Sequence, residues 1–344
     1  MSHIPFPSIN QFRHVVGQVK RKAAFMGLDA AGEPILNPAP VYPTLGFIGT
    51  VKLHGTNAAI VFRPEGVSFQ SRERVLTSEE DNAGFYNHMI QFPVALEKLQ
   101  HKICMAAGLD PLSIDYNIAV YGEWCGGNIQ KGVAITGLPK MFVIFAIKVN
   151  GEWFTDGVMG LRDEAASIYD INQFAKYFYS IDFEKPEKAQ NHLAALTAHI
   201  EDSCPVGSHF GQPGIGEGIV WRCIEDPSSD LWFKVKGEKH SASKVKTLAA
   251  VDVEAVEGMR AFVEMTVTEA RLEQGLQNLV NEQGKPFDMT SMGDFIRWIH
   301  GDVLKEEGDT FAKSGLKERN LGGSIAQVAK RWYVQRMNSS AFAA

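Results

Sequence analysis

The stretch Lys52-Leu53-His54-Gly55-Thr56-Asn57 decides how this chain is interpreted. It lies between two strand-like runs, 47–51 and 58–62, and Gly55 permits a sharp turn between them. A lysine mounted in this way is placed to act as a nucleophile. Because an unperturbed amine is neutral in only about one molecule in a few thousand at pH 7, nearby cations or a metal would have to favour its neutral form. The alternative is a hairpin with a solvated lysine, the commoner fate of this residue type.

The composition is that of an ordinary globular protein. Its 344 residues suffice for two domains or one large one, and 45% hydrophobic residues can fill a substantial core. A net charge of -6 argues against a uniformly basic coat for nucleic acid, but it allows a local basic groove. The 4 cysteines are far apart, which fits a reducing cytosol better than a zinc knuckle or a disulfide framework. The longest apolar run, 141–147, is too short to cross a bilayer, and the N-terminus lacks an apolar signal core.

Hydrophobic periodicity predicts an α+β domain over residues 1–245 and a helical C-terminal domain over 246–344. In the first domain we expect mixed or antiparallel sheets with helices packed outside them. Strands are predicted at 47–52, 57–63, 67–71, 118–124, 141–149, 152–155, 218–224 and 231–236. Helices are predicted at 86–106, 160–179, 186–202, 252–282, 289–307 and 322–337.

Three further segments have residue types that suit a nucleotide site, and each also has an ordinary structural explanation. Arg72 follows a predicted strand and could grip a phosphate, although surface arginines are common. Glu123 ends a predicted strand and could bind ribose hydroxyls or a metal, and a capping or solvated carboxylate is equally compatible. The aromatic residues of 141–147 could stack on a purine, while a core strand is their commoner fate.

Two later segments add charged groups. Glu217 enters a predicted strand after a glycine-rich loop that matches neither dinucleotide-binding nor P-loop spacing. Lys234 and Lys236 alternate with Val235, so both lysines should lie on one face of a strand. Adjacent ammonium groups repel each other, and we expect them to face a polyanion and to favour the neutral form of a third lysine nearby.

The predicted C-terminal domain contains a basic segment, 313–336, with Glu318 as its single acid. This pattern fits either phosphate contacts or the charged face of an amphipathic helix. The basic residues are Lys313, Lys317, Arg319, Lys330, Arg331 and Arg336.

In this order, the segments between about residues 47 and 240 resemble the covalent nucleotidyltransferases, which comprise polynucleotide ligases and messenger-RNA capping enzymes. His54 makes the first segment similar to the RNA ligase 2 type of bacteriophages and of trypanosome RNA editing, because DNA ligases and capping enzymes usually carry aspartate there. A helical tail in place of an OB barrel also favours this branch. The resemblance implies an ATP-grasp-like ligase fold and an ATP-dependent RNA ligase that repairs RNA.

The implied reaction has three steps. A lysine attacks the α-phosphate of ATP and releases pyrophosphate, the adenylate moves to an RNA 5′-phosphate, and a 3′-hydroxyl attacks and releases AMP. The implied cofactor is Mg²⁺ or Mn²⁺, and the implied partner is RNA with 3′-hydroxyl and 5′-phosphate ends, including nicked duplexes. A cytoplasmic monomer is favoured, in the host cytoplasm if the chain is phage-encoded.

The resemblance also assigns roles to residues. Lys52, Lys234 and Lys236 would be catalytic, Glu217 and Glu123 would hold the metal, and His54, Asn57 and Arg72 would serve the steps at RNA. The implied nucleotide-binding residues are Val51, Lys52, Asn57, Arg72, Glu123, Phe145, Glu217, Lys234 and Lys236, with Glu123 on the ribose and Phe145 on the adenine.

Two positions depart from the family pattern. An acid often precedes the lysine, where this chain has Val51, and an acid often follows the stacking aromatic, where it has Ala146. The Val51 carbonyl could still bind the adenine amino group, but the loss of two carboxylates bears on metal affinity and on individual steps. The alternatives are a DNA ligase, a capping-type guanylyltransferase, or a degenerate nucleotide- or RNA-binding module without turnover.

Overall fold

The computed structural model describes residues 2–112, 115–154, 160–241 and 258–341. The chain forms two compact units, Met1–Gly237 and Glu238–Ala344. The predicted boundary between residues 245 and 246 lies outside the described residues, as do positions 252–257 of the predicted helix 252–282 and position 155 of the predicted strand 152–155.

The first unit contains the described strands. They are β1 (Asn10–Gln11), β2 (Phe25–Leu28), β3 (Pro34–Leu36), β4 (Thr44–Lys52), β5 (Thr56–Arg63), β6 (Gly66–Ser71), β7 (Ile118–Cys125), β8 (Met141–Val149), β9 (Glu152–Phe154), β10 (Ile168–Asp170), β11 (Lys176–Asp182), β12 (Gly218–Cys223) and β13 (Phe233–Lys236). Its α-helices are α1 (Phe12–Ala24), α2 (Phe85–Met89), α3 (Pro93–Ala106), α4 (Glu187–Asp202) and α5 (Pro205–His209).

Two sheets make up most of this unit. The lysine sheet, which carries Lys52 and Lys236, has the strand order β1-β13-β12-β4-β11. The carboxylate sheet, which carries Glu123, has the order β10-β8-β7-β5-β6, with β9 paired to β8. Strands β2 and β3 form a separate hairpin. Most neighbouring strands are antiparallel, which agrees with the predicted mixed or antiparallel sheets.

One face of each sheet is buried under helices. On the lysine sheet, Val51 and Val235 point to this face, where α1 packs against β13 and α4 against β12 and β13. The Phe12 ring from α1 lies 5.1 Å from the Phe233 ring. On the carboxylate sheet, Phe142 belongs to a buried cluster with residues of α2 and α3. Such burial of apolar faces supplies most of the favourable free energy of folding.

The other faces of the two sheets meet. Tyr121 and Ala146 of the carboxylate sheet share a buried cluster with Trp232, the residue that precedes β13. Arg222 of β12 donates a hydrogen bond of 3.0 Å to the carbonyl of Phe145 on β8. The face that carries Lys52 therefore looks toward the face that carries Glu123.

The second unit is helical, as predicted, and its described residues form no strand. Its α-helices are α6 (Met259–Thr266), α7 (Glu269–Gln277), α8 (Met292–Lys313) and α9 (Leu321–Ala341), and they enclose their own apolar core. Of the basic residues in 313–336, Arg336 pairs with Glu273 at 3.0 Å. The exposed members are Lys313, Lys317, Lys330, Arg331 and Arg336. In the described part of the chain, no helix combines the length and apolar character needed to cross a membrane.

The α+β class with a helical C-terminal region is confirmed, but three element predictions are corrected. The predicted helix 160–179 is wrong, because this segment contains β10, a 3-10 turn (Ile171–Gln173) and the first part of β11. Strand β11 pairs with β4 along its whole length, and aromatic residues in it suit a sheet. The predicted helix 86–106 is divided into α2 and α3, with Pro93 starting α3. The predicted strand 231–236 begins only at Phe233, after a 3-10 turn (Ser229–Leu231).

Candidate active site

Lys52 is the last residue of β4, and strand register places it level with Lys236, with one strand between them. Gly218 of β12 pairs with Lys52 on one side and with Lys236 on the other. A Cβ atom at Gly218 would lie 2.1 Å from the Val235 carbonyl oxygen, so only glycine allows the strands to approach this closely. The two amines are thereby brought to the same end of the same sheet face.

A buried carboxylate, Glu217, joins these amines. Its side chain is 2% exposed, with one oxygen 2.7 Å from the Lys52 amine and the other 3.1 Å from the Lys236 amine. The Nδ1 atom of His54 lies 3.4 Å from the oxygen that contacts Lys52. Burial opposes ionisation of Glu217, but the charges of Lys52, Lys236 and His54 outweigh it and hold the pKa of its carboxyl well below its usual range.

Lys234 lies on the same face as Lys236, as the alternation predicts. Lys234 pairs in register with Val220, whereas Val235 between the two lysines is 2% exposed. From the sequence, we expected a bound polyanion to offset the repulsion between the two adjacent ammonium groups. The structure adds that the carboxylate of Glu217 already balances part of this charge in the protein alone.

Glu123 and Asn57 are directly opposite each other on β7 and β5 of the facing sheet. The Oε1 atom of Glu123 accepts a hydrogen bond of 2.9 Å from the N–H of Gly55. This bond fastens the turn that follows Lys52 to the carboxylate sheet. Residues predicted to bind one nucleotide are thus contributed by both sheets.

Phe145 occupies a β-bulge in β8. Tyr121 pairs with Ala146 and Gly122 pairs with Ile144, so Phe145 is the extra residue between them. Its ring is half-buried and meets the Phe6 ring edge-on at 5.1 Å. No sequence pattern predicted the contribution of Phe6, which lies outside every predicted element.

Three further positions discussed from the sequence lie on or directly after strands of the two sheets. Arg72 is half-buried directly after β6. The Val51 side chain is 3% exposed and points to the opposite, helix-covered face, so only its backbone is available to the site. Ala146 is 6% exposed within the apolar cluster between the sheets, where a carboxylate would need a partner.

The side chains of the described residues offer oxygen donors but no preformed metal cage. Among the described residues, no group of three or more His, Cys, Asp or Glu side chains is arranged to hold a metal ion. Both Glu217 oxygens contact ammonium groups. Such a donor set fits Mg²⁺, which commonly takes one or two carboxylates, retains waters and completes its shell with substrate phosphates.

Comparison with known proteins places this site in a class. A family model described as RNA ligase matches residues 46–236, more than half of the chain. The protein belongs to the RNA ligase family, and the resemblance drawn from the sequence is confirmed at that level. No curated protein matches the chain.

Similar solved structures include three of Naegleria gruberi RNA ligase. An apo variant is 15% identical with a TM-score of 0.44, and the match covers 69% of this chain and 57% of that one. A variant with ATP and Mn is 13% identical with a TM-score of 0.43, with coverage of 69% and 57%. A complex with pyrophosphate is 13% identical with a TM-score of 0.42, with coverage of 69% and 56%. This chain therefore spans less than two thirds of the length of these structures.

Proposed function

We propose that this protein is an ATP-dependent, AMP-forming RNA ligase that joins 3′-hydroxyl and 5′-phosphate RNA ends in RNA repair, with nicked duplexes among its substrates. One observation carries the proposal. In a chain of the RNA ligase family, the Lys52 amine lies 2.7 Å from a buried carboxylate that a second lysine, Lys236, also contacts. A second ammonium group this close to the Lys52 amine can bind the phosphates of ATP at the position where the amine attacks them.

In the first step, Lys52 is the nucleophile. Its pair with Glu217 stabilises the ammonium ion, and a neutral amine gains nothing from that pair. An ammonium ion has no lone pair, so Lys52 must first release one proton to solvent, and the attacking nitrogen releases a second proton to solvent as the phosphoramidate forms. The Lys52 nitrogen then forms a bond to the α-phosphorus of ATP, the bond from this phosphorus to the bridging oxygen breaks, and pyrophosphate leaves with the electron pair. Lys234 and Lys236 stabilise the negative charge on the phosphates.

The remaining contacts hold the nucleotide between the two sheets. Phe145 stacks on the adenine, and the Val51 carbonyl accepts a hydrogen bond from the adenine amino group. Glu123 and Asn57 lie opposite each other and contact the ribose side of the nucleotide. Glu217, with Glu123, is the candidate holder of Mg²⁺ or Mn²⁺, and such an ion neutralises phosphate charge when bound.

The later steps take place at RNA. The adenylate leaves Lys52 for an RNA 5′-phosphate, and His54, Asn57 and Arg72 support this transfer. A 3′-hydroxyl then attacks the activated phosphate, and AMP is the leaving group. The exposed basic residues of 313–336 contact RNA phosphates, which predicts that ligation weakens as salt rises.

The test is covalent labelling of the full chain with α-labelled ATP and Mg²⁺, followed by denaturing electrophoresis. The wild type should form an acid-labile, base-stable adduct, as should the control Lys98→Ala, which changes an exposed lysine on α3. The variant Lys52→Ala should form none. Equal labelling of Lys52→Ala would refute Lys52 as the nucleophile, and labelling by GTP alone would indicate a capping-type enzyme.

A second assay separates the polynucleotide substrates. Nicked RNA, an RNA-DNA hybrid and nicked DNA are offered to the pre-adenylylated enzyme. Sealing of RNA 3′-hydroxyl and 5′-phosphate ends is the expected result. Sealing restricted to DNA would favour a DNA ligase, and a folded wild type that binds ATP without forming an adduct would favour a degenerate binding module.

A further inference from the structure

The turn at residues 53–56, which leads from Lys52 into the first residue of β5, is held by three polar side chains. Glu123 accepts a hydrogen bond from the N–H of Gly55 at 2.9 Å. Gln130 donates one from its Nε2 to the carbonyl of Gly55 at 3.2 Å. Asn82 donates one from its Nδ2 to the hydroxyl of Thr56 at 3.0 Å. Both polar groups of the Gly55 backbone are therefore engaged by side chains from elsewhere in the chain.

The same glycine leaves no room for the turn to move. A Cβ atom at Gly55 would lie 2.4 Å from the Trp124 carbonyl oxygen and 2.7 Å from the Cβ of Cys125. The turn therefore packs closely against the end of β7, and its hydrogen bonds fix its distance from that strand. Lys52 and His54, which flank Leu53, are positioned by this arrangement.

A rigid loop brings Gln130 to the turn. Directly after β7, Gly126, Gly127 and Asn128 have φ values of +80°, +54° and +60°. The Gly127 N–H donates to the Leu138 carbonyl at 2.6 Å, and the Asn128 N–H donates to the Thr136 carbonyl at 3.0 Å. This left-handed path, which glycine and asparagine adopt most readily, doubles the chain back.

Burying the Gln130 side chain costs free energy, and packing alone does not explain why an amide is present there. The residue is 5% exposed, and its Oε1 atom is buried without a hydrogen-bond partner among the described residues. The orientation of this amide is fixed, because a carbonyl only accepts and the Nε2 must therefore face Gly55. A methionine of similar size would fill the space without a buried, unpaired oxygen. What the amide uniquely supplies is the donor to the turn.

We propose that Gln130 is a positioning residue: its hydrogen bond to the Gly55 carbonyl holds the 53–56 turn so that Lys52 and His54 stay on Glu217 in the geometry for attack. This inference rests on the proposed adenylyl transfer to Lys52. Both residues that flank Leu53 contact the same carboxylate, at 2.7 Å and 3.4 Å, so a shift of the turn would disturb both contacts together.

The first test compares Gln130→Met with Gln130→Glu in the rate of self-adenylylation across pH. Methionine removes the donor at every pH. An ionised glutamate repels the Gly55 carbonyl, but its protonated form can donate a hydrogen bond again. We expect both variants to be slower than the wild type by about 100-fold near pH 8, since misplacement of a reactive group by about 1 Å has this effect. The deficit of Gln130→Glu should shrink toward acidic pH, while that of Gln130→Met should stay constant.

Rates are expressed relative to the wild type at each pH. The other titratable groups at the turn are His54, Glu123 and Cys125, whose thiol pKa is raised by burial. Gln130→Met adds no titratable group, so its ratio to the wild type shows how far these groups contribute to the pH dependence. Gln100→Glu is the matched control, since Gln100 is a half-buried amide that donates to the Tyr116 hydroxyl at 2.6 Å. It should leave the rate unchanged.

A second measurement does not need ATP. The modification rate of Lys52 by an amine-reactive acetylating ester is followed by mass spectrometry. Release of the turn should free the amine from Glu217 and make modification severalfold faster in both Gln130 variants than in the wild type. If folded Gln130→Met is modified and adenylylated at the same rates as the wild type, the inference is overturned. If the Gln130 variants are modified faster but the wild-type protein never forms an adenylate, that result would overturn the proposed function and not this inference.

Discussion

Replacing Glu217 by glutamine should destabilise the first unit at neutral pH and much less in acid. The carboxylate is buried, and the substitution removes the negative charge that the ammonium groups of Lys52 and Lys236 contact. Removing one member of a buried ion pair typically costs about 3–5 kcal/mol. Because the two lysine side chains retain 22% and 14% exposure, water can partly solvate them. We therefore expect a loss of about 2–4 kcal/mol at pH 7.

The pH dependence follows from the lowered pKa of Glu217. A carboxyl group whose pKa falls on folding contributes stability above its unfolded pKa, near 4.5, and that contribution is lost as the pH falls through the folded pKa. The difference in free energy of unfolding between the wild type and Glu217→Gln should be constant from pH 7 to about 5 and should decrease at lower pH. Adding Lys236→Met to Glu217→Gln should recover part of the loss, because it removes one of the ammonium groups that have lost the Glu217 charge.

Hydrogen exchange in increasing urea measures this effect in the first unit alone, through peptides from β4 and β12, with intrinsic rates corrected for pH. Asp226→Asn is the matched control, since its partner Lys22 is 79% exposed and the pair is 3.2 Å long. An exposed pair of this kind contributes at most about 1 kcal/mol. A deficit for Glu217→Gln that is as small as the control, or equal at pH 7 and pH 3, would refute the assignment of Glu217 as the charge-balancing group.

Other substitutions test the turn, the aromatic cluster and the helical unit. Gly55→Ala should slow self-adenylylation by about 100-fold, because its Cβ collides with the end of β7, whereas Gly137→Ala, with nothing within 4 Å, should not. Phe6→Ala should destabilise the first unit by about 3–5 kcal/mol in urea unfolding and raise the KM for ATP, because its ring supports Phe145; Phe6→Leu should cost less. Arg271→Met removes the buried cation that Glu306 and Asp302 contact at 2.7 Å and 3.1 Å, and it should lower the stability of α8, measured by hydrogen exchange, by about 3–5 kcal/mol. A change below about 1 kcal/mol in either stability test would contradict the packing described.

Local patterns in the sequence predicted many of the strands and helices. Period-two alternation predicted that Lys234 and Lys236 share a face, and register with β12 agrees. Helical spacing predicted 186–202 close to the observed α4. The same spacing failed at 160–179, because a few apolar residues in a short segment fit a helix and a strand equally well. There the pairing of β11 with β4, more than a hundred residues earlier, decided the outcome.

Long-range contacts explain what the sequence did not predict about the site. Lys52 and Glu217 are 165 positions apart, and no local pattern specifies that their side chains meet. The metal-holding role implied for Glu217 stays a prediction, and the observed contacts are ion pairs. Gln130 had a readable signal in the Gly126-Gly127 pair, which predicts a reversal of the chain after β7, but its target at Gly55 depends on tertiary structure.

The charges around Glu217 favour the adenylylated state of the proposed reaction. While Lys52 is protonated, it and the ammonium groups of Lys234 and Lys236 outnumber the single negative charge of Glu217. Adenylylation replaces the charge on Lys52 with a phosphoramidate that is itself negative, so the two remaining ammonium groups then face two negative groups. Opposite charges held close together in a partly desolvated site stabilise each other more than in water. After the reaction, Glu217 can pair with Lys236 but no longer with a charged Lys52. A substitution at Lys236 should therefore impair retention of the adenylate as well as its formation.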